Sequence, residues 1–112
     1  MAAGIVGRTV ALFSDPRSVR AAIGPCAGGC CYEVGEEVIE AVSAGTGGLA
    51  DTERRGAAVF LDLAGTIRAT LLTSGVESVD VSGECTIHSA DRFFSHRREG
   101  RCGRQMAMGM RL

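Results

Sequence analysis

The sequence lacks tryptophan and lysine altogether, and it has one tyrosine and two prolines among 112 residues. All 12 of its basic residues are arginine, and with 13 acidic residues they give a net charge of −1. A charge this close to zero gives no electrostatic reason to expect a nucleic acid or a membrane surface as partner. No apolar run approaches the roughly 20 residues that span a bilayer, and no phosphate-loop or dinucleotide-binding fingerprint is present. We therefore expect one globular domain at most, over residues 1–112, outside these function classes.

The features of an exported protein are also missing. The apolar N-terminus has no basic segment and no clear small-residue cleavage site. The five cysteines are an odd number, and two of them are adjacent in sequence. We therefore expect a reduced, cytoplasmic protein with free thiols rather than a disulfide scaffold.

What organises the sequence is the stretch 22–42, which reads AIGPCAGGCCYEVGEEVIEAV. It predicts the end of a strand, a break at Gly24-Pro25, a loop rich in cysteine and glycine, and then a helix. Glycine in such a loop lets backbone and sulfur atoms approach a ligand closely. Helical spacing puts Val34, Val38, Ile39, Ala41 and Val42 on one face, and Glu33, Glu36, Glu37 and Glu40 on the other. Glu33 is predicted to lie near the helix N-terminus, where the helix dipole favours negative charge.

Apolar periodicity predicts the elements on either side of this stretch. A first helix begins almost at Met1, without a capping side chain, and ends before Pro16. Its uncapped start suggests that the sequence begins inside a larger fold. A short strand is predicted over 18–23. Residues 43–56 have the glycine, serine and charged content of an exposed connecting loop, and we expect disorder there before anywhere else.

A third helix and two strands are predicted in the remainder of the chain. Asp62 is expected to cap a helix that includes Phe60 in its apolar spacing, runs to about Ser74 and ends at Gly75. Alternation of apolar and polar residues predicts a short strand over 76–82. A final strand is predicted to place three methionines on one core-facing side: Met106, Met108 and Met110.

The second informative stretch, residues 85–104, reads CTIHSADRFFSHRREGRCGR. Arg97 and Arg98, beside Ser95 and His96, could bind the paired oxygens of a phosphate or a carboxylate. The alternative is that these arginines pair with nearby acidic residues or with solvent, and composition alone favours that alternative.

The cysteines and histidines of the two stretches leave three interpretations open. Cys85 and His88 form a C-x-x-H pair to which Cys26, Cys30 and Cys31 could add thiolate ligands, although the spacing is irregular for structural zinc. A histidine could instead lower the pKa of a nucleophilic cysteine. Buried, inert thiols are the third interpretation and the ordinary one for cysteine.

The segments AIGPCAGGCCYEVGEEV and CTIHSADRFFSHRREGRCGR, joined by LDLAGTIRATLLTSGV, closely resemble the C-terminal half of the laccase-domain family. Members of that family have been named multicopper polyphenol oxidases, peptidoglycan editing factors and purine nucleoside phosphorylases. The resemblance implies an α/β (α+β) fold, an αββα sandwich of the cysteine-hydrolase-like type, of which this chain is the C-terminal portion. It also implies phosphorolysis of adenosine, inosine, guanosine or methylthioadenosine, with adenosine deamination as a further activity. Copper-dependent oxidation of phenols is the alternative activity.

The resemblance also implies where the metal would be bound. The family's zinc or copper ligands are a histidine, a cysteine and a second histidine, and all three lie in its N-terminal half. The cysteine is in an Ala-Asp-Cys motif and the second histidine in a His-Ala-Gly-Trp-Arg-Gly motif. This chain has neither motif, so no metal ligand and no catalytic residue is assigned within it. An inactive truncated product, or a partner that self-associates or completes itself with a separate N-terminal half, is therefore a third hypothesis.

The residues that match the family's motifs supply the predicted binding site for purine nucleoside and phosphate. From the first motif these are Cys26 and Tyr32, with the Gly24-Pro25-Cys26 loop as one wall of the pocket. From the second motif they are Cys85, Ser95, Arg97 and Arg98. Cys102 stands where the family pattern has threonine, so no role is assigned to it. The resemblance implies that Cys26, Cys30 and Cys31 are scaffold rather than nucleophiles.

Overall fold

Two small β-sheets, one parallel and one antiparallel, are joined and covered by short helices in this computed structural model, which describes residues 1–110. The mixture of sheets and helices confirms the predicted α/β class. The elements in chain order are α1 (Ile5–Val10), a 3₁₀ turn (Pro16–Ser18), β1 (Arg20–Ile23), β2 (Glu33–Val34), α2 (Glu36–Thr46), β3 (Asp51–Arg55), β4 (Ala58–Asp62), α3 (Leu63–Thr73), β5 (Ser78–Val81) and α4 (His96–Glu99).

The parallel sheet pairs β1 with β5 in the register Arg20 to Ser78 through Ile23 to Val81. Its hydrogen bonding continues past the strand ends, since the N–H of Ser82 donates to the carbonyl of Ile23 at 2.9 Å. A further parallel bridge then joins Cys26 to Cys85. The prolonged pairing therefore holds the cysteine-rich loop beside the segment that follows β5.

Apolar side chains from α1, α3 and the parallel sheet form the main core. Its buried members are Val10, Ile23, Leu71 and Val76. Thr66 of α3 is fully buried as well, but its hydroxyl donates to the carbonyl of Asp62 at 2.7 Å and accepts from the N–H of Asp51 at 2.9 Å. These two hydrogen bonds offset the cost of removing the Thr66 hydroxyl from water.

The antiparallel sheet places β4 between β2 and β3. The prediction of an exposed loop over 43–56 is wrong, because α2 continues to Thr46 and the charged residues Asp51–Arg55 form β3. All five residues of β3 are exposed, so the strand carries no apolar pattern. Charged side chains are typical of an edge strand that remains in water, which explains why the composition suggested a loop.

Three residues that were assigned to helices lie in this sheet instead: Glu33 and Val34 in β2, and Phe60 in β4. Glu33 pairs with Phe60 across β2 and β4, so neither residue belongs to α2 or α3. The acidic helix begins at Glu36, and its N-cap is Gly35, which contributes no side-chain hydrogen bond. The amphipathic pattern is real, but backbone pairing with β4 takes its first residues into a strand.

The chain ends also differ from the prediction. The first helix covers only Ile5–Val10, after a Gly4 N-cap with a φ of 70° and no side-chain cap. At the other end, residues 102–110 form no strand, and the methionines are exposed: Met106, Met108 and Met110. Alternating apolar residues form a strand only where a partner strand supplies hydrogen bonds, and the described residues offer none there.

Other local predictions are confirmed. Asp62 caps α3 by accepting a hydrogen bond from the N–H of Gly65 at 3.0 Å. Gly75 follows the helix with a φ of 97°, a left-handed conformation that glycine adopts without a steric penalty. The strands predicted over 18–23 and 76–82 are present as β1 and β5. Among the described residues, no helix is long and apolar enough to cross a membrane.

Leu61 offers a direct test of the antiparallel sheet, because it is 1% exposed at the centre of β4. Leu61→Ala is expected to lower the free energy of unfolding by about 2–5 kcal/mol, through lost burial and a residual cavity. The matched control is Leu72→Ala, since Leu72 is 41% exposed and should change stability by about 0.5 kcal/mol or less. Urea denaturation measures both, and equal losses would contradict the placement of Leu61.

Candidate functional site

The cysteine loop, residues 24–32, is folded tightly around Gly28. The N–H groups of Cys31 and Tyr32 both donate to the carbonyl of Gly28, at 3.0 and 2.9 Å. A Cβ atom at Gly28 would lie 3.1 Å from Cβ of Cys85 and 3.5 Å from Sγ of Cys30. Glycine at this position therefore leaves the space in which the loop and Cys85 approach each other.

Three cysteine sulfurs meet at this point, and we call Cys30, Cys31 and Cys85 the sulfur cluster. Their Sγ atoms all lie within 4.8 Å of one another. Cys30 is exposed, Cys31 is half-buried and Cys85 is buried, so the cluster runs from the surface into the protein. None of the five cysteines forms a disulfide.

Cys85 is the member of the sulfur cluster that is best suited to carry negative charge. Burial raises the pKa of its thiol, but hydrogen bonds from the backbone N–H groups of His88, Gly28 and Ile87 and from the thiol of Cys30 outweigh that effect. The N–H of Gly28 lies 3.2 Å from Sγ of Cys85, and that of His88 lies 3.5 Å away. The pKa of Cys85 is therefore below its ordinary value, because these donors stabilise the thiolate.

The pKa values of two neighbouring thiols, Cys30 and Cys26, are raised rather than lowered. Removal from water, together with hydrogen bonds to Cys31 and Cys85, raises the pKa of Cys30 to about 12. Burial also raises the pKa of Cys26, and the negative charge of Asp62 adds to that effect. Among these sulfurs, the backbone donors therefore favour the charged form at Cys85, whereas burial disfavours it at Cys30 and Cys26.

Arg55 of β3 fixes the outer side of the cysteine loop. Its guanidinium donates to the carbonyl of Cys30 at 3.1 Å and to the carbonyl of Gly29 at 2.5 Å. The same group stacks over the ring of Phe60, with 3.8 Å from Cζ to the ring centroid. The β3–β4 hairpin thus holds the backbone that presents Cys30.

A cavity of about 450 Å³ opens between the cysteine loop and the N-terminal end of α3. Its lining includes three cysteines, Cys26, Cys30 and Cys85, and the side chains of Asp62 and Arg68. Arg68 makes no ion pair with any described residue. The size is within the range of small-molecule sites, which usually combine apolar walls with a few polar groups.

The predicted site residues are divided between this cavity and a second surface. Cys26 and Cys85 line the cavity, whereas Tyr32 and Arg97 lie together outside it, with Cζ of Arg97 5.0 Å from the ring centroid of Tyr32. Arg97 also lines a shallow depression that includes Cys31. The predicted contacts of these four residues with substrate stay predictions.

Ser95 and Arg98 are committed to contacts within the protein. Ser95 is buried and caps α4, where its hydroxyl accepts from the N–H of Arg98 at 3.3 Å. The Arg98 guanidinium donates to the carbonyls of Thr86, Ile87 and Phe93 at 2.6, 2.8 and 2.8 Å. These bonds fix the segment after Cys85, and the predicted role of both residues in binding substrate stays a prediction.

Sequence reasoning missed Arg55 and Arg68, and it did not identify which thiols meet. Arg55 lies in a segment with no apolar pattern, and Arg68 gives no signal beyond an exposed helical position. His88, considered as a partner for the cysteines, provides its backbone N–H to Cys85. The long parallel pairing is the feature that joins Cys85 to the loop, and spacing along the chain does not reveal it.

The profile of a protein family described as multi-copper polyphenol oxidoreductase laccase matches residues 1–111. The chain belongs to this family. This agrees with the resemblance that the two cysteine-containing motifs indicated.

Relatives in this family carry a different name. The chain is 38% identical over 109 residues to a purine nucleoside phosphorylase of Xylella fastidiosa, covering 93% of this chain and 42% of the relative. It is 39% identical over 104 residues to purine nucleoside phosphorylase YlmD of Bacillus subtilis, covering 88% and 37%. A purine nucleoside phosphorylase of Deinococcus radiodurans is 42% identical over 104 residues, covering 92% and 40%. The chain thus spans about two-fifths of the length of these relatives.

A solved structure of the same kind supports the laccase-like fold. The crystal structure of Bacillus licheniformis hypothetical protein YfiH superimposes with a TM-score of 0.72 at 32% sequence identity. The match covers 87% of this chain and 40% of that one. The fold predicted from the motifs is thereby confirmed.

The family description implies copper, and the sulfur cluster is a donor set that could hold a metal. Three thiols suit one soft ion, because thiolates select metals such as monovalent copper and zinc. No histidine joins the cluster among the described residues, so the mixed imidazole and thiolate ligands of a blue-copper centre are not assembled there. The three sulfurs therefore suit a single metal ion with thiolate ligands.

Arg55→Ala tests the clamp on the cysteine loop. Loss of the two bonds to carbonyls and of the stacking on Phe60 should cost about 1 kcal/mol and speed hydrogen exchange at the amides of 28–32. Arg54→Ala is the matched control, because Glu36 is its only ion-pair partner within residues 1–110, at an exposed site, and the change should leave exchange in the loop unchanged. Equal exchange in both variants would remove Arg55 from this role.

Arg98→Ala tests the anchoring of the segment after Cys85. The change leaves three carbonyls without their donor, and a loss of about 1–3 kcal/mol in the free energy of unfolding is expected. The neighbouring variant Arg97→Ala should cost no more than about 1 kcal/mol, because it removes one exposed contact with Tyr32. Thermal or urea unfolding compares them, and a larger loss for Arg97→Ala would contradict the assignment.

Proposed function

We propose that this chain forms part of a purine nucleoside phosphorylase, in which phosphate displaces the base from C1′ of the ribose. The observation that carries the proposal is the name shared by relatives 38–42% identical to the chain, two of them over more than nine-tenths of it. Adenosine, inosine, guanosine and methylthioadenosine are the substrates we propose, with phosphate as the second substrate. Five free thiols support a reduced, cytoplasmic setting for this activity.

The cavity beside the cysteine loop is our choice for the nucleoside site. Its volume of about 450 Å³ accommodates a ligand of nucleoside size. Carboxylate oxygens of Asp62 can accept hydrogen bonds from ribose hydroxyls, since an ionised carboxylate is purely an acceptor. The glycines of the loop allow backbone groups to come close to the base.

Arg68 is our choice for the phosphate ligand within this cavity. Its guanidinium carries two donors in parallel and is free of ion pairs to described residues, so it can bind a phosphate with two hydrogen bonds. Arg97 is the candidate from the sequence, and it lies in the depression outside the cavity. The two arginines can be separated by experiment.

The remaining groups of the active site would come from a complementing protein segment, because the chain spans 42% or less of the relatives reported above. The zinc or copper that the resemblance implies belongs to that segment in this proposal. A phenol oxidase is the less favoured function, since those relatives are named as phosphorylases.

The test uses the 112-residue chain and a hybrid in which it replaces the matching 104-residue segment of the Bacillus subtilis relative. With zinc supplied, the hybrid is expected to release hypoxanthine from inosine only when phosphate is present. The parent relative is the positive control, and circular dichroism establishes that the hybrid is folded. A folded hybrid that leaves inosine and adenosine intact, or that oxidises phenols instead, contradicts the proposal.

Variants of the hybrid then test the phosphate site. Arg68→Ala is expected to lower kcat/KM for phosphate by about 10- to 100-fold, the loss of a charge-assisted pair of hydrogen bonds. Arg8→Ala is the control, because Arg8 is exposed on α1 and does not line the cavity. A larger loss for Arg97→Ala than for Arg68→Ala would move the phosphate site to the depression beside Tyr32.

A further inference from the structure

The sulfur cluster could bind a metal ion, which is a property that the proposed phosphorolysis does not require. The three sulfurs lie within 4.8 Å of one another, and two of the residues, Cys30 and Cys31, are adjacent in the cysteine loop. The third, Cys85, comes from a distant part of the chain and is held in place by backbone pairing. Thiols gathered from two segments in this way form a set of soft metal ligands.

The distances suit three ligands of one ion. Metal–sulfur bonds are about 2.3 Å, so three sulfurs in a plane around an ion lie about 4 Å apart. The sulfurs of Cys30, Cys31 and Cys85 are within 4.8 Å of one another before any ion is bound. Small rotations of these side chains would therefore bring the three atoms to bonding distance.

The surroundings of Cys85 provide the outer contacts that a metal ligand requires. The N–H groups of Gly28 and His88 point at its sulfur, at 3.2 and 3.5 Å, and orient it toward the loop. The exposed Cys30 supplies an entry path for the ion. Gly28 keeps the centre open, since a Cβ there would lie 3.3 Å from Sγ of Cys85 and 3.5 Å from Sγ of Cys30.

The number and type of donors select the ion. No fourth cysteine, histidine or carboxylate joins the sulfur cluster among the described residues. Structural zinc sites are almost always four-coordinate, whereas thiolates select soft ions, and monovalent copper is stable with three sulfur ligands. We propose that Cys30, Cys31 and Cys85 form a three-thiolate site for monovalent copper, at the wall of the cavity that Cys30 and Cys85 also line.

Binding in this site involves no change of oxidation state. Each thiol that still carries a proton releases it to the buffer as its copper–sulfur bond forms, and the copper remains monovalent. The proposal therefore concerns the reduced 112-residue chain and needs neither a nucleoside nor a complementing segment.

The test titrates monovalent copper, without oxygen, into the reduced chain in competition with a chromophoric copper chelator. One tight equivalent is expected, and X-ray absorption should show three sulfur neighbours at about 2.3 Å. Cys30→Ser and Cys85→Ser are expected to weaken binding by at least about 100-fold, more than the loss of an outer contact usually costs. Cys102→Ser is the matched control, because Cys102 is outside the cluster, and it should bind as the unaltered chain does.

Several results would overturn the proposal. They are the absence of a tight equivalent, equal binding by Cys30→Ser and the unaltered chain, and an absorption spectrum with nitrogen or oxygen ligands in place of sulfur. Displacement of copper by an equal concentration of zinc would also overturn it. Circular dichroism shows whether each variant is folded. If the buried Cys85→Ser variant does not fold, the exposed Cys30→Ser variant still tests the proposal.

Discussion

The parallel backbone pairing beyond the ends of β1 and β5 is the constraint on which the site depends. The N–H of Cys26 donates to the carbonyl of Glu84 at 3.3 Å, and the N–H of Thr86 donates to the carbonyl of Cys26 at 2.9 Å. Parallel pairs require long connections, and here the connection contains α2, the β3–β4 hairpin and α3. These intervening elements also hold the site, since the hairpin supplies Arg55 and α3 supplies Arg68.

This arrangement makes Cys85 the sulfur at which backbone donors favour negative charge. Backbone donors can reach Cys85 because the cysteine loop is pressed against the segment that follows β5, and Arg98 holds that segment from its other side. Cys30 faces the same centre, but removal from water and its hydrogen bonds with Cys31 and Cys85 raise its own pKa. Backbone geometry therefore lowers the pKa of Cys85, whereas the charge of Asp62 helps to raise the pKa of Cys26.

The sequence alone was sufficient to predict the elements that have capping residues or an apolar pattern. Asp62, Gly75 and the alternation over 76–82 each specify a structure through neighbouring residues, so α3 and β5 could be predicted. The strand β3 could not, because its five charged or polar residues are exposed and its stability comes from pairing with β4. The sulfur cluster was hidden for a similar reason, since it depends on a pairing between segments far apart in the chain. The family motifs indicated the right loop but not which of its thiols meet Cys85.

A crystal structure of the reduced chain, with the sulfur positions located by anomalous scattering, tests this account most directly. We expect the Sγ atoms of Cys30, Cys31 and Cys85 within 4.8 Å of one another, and the N–H of Gly28 about 3.2 Å from the sulfur of Cys85. Both distances depend on the pairing of Cys26 with Cys85, so they test it together with the site it creates. A Cys85 sulfur far from the loop, with no hydrogen bond from Gly28, would contradict the central claim.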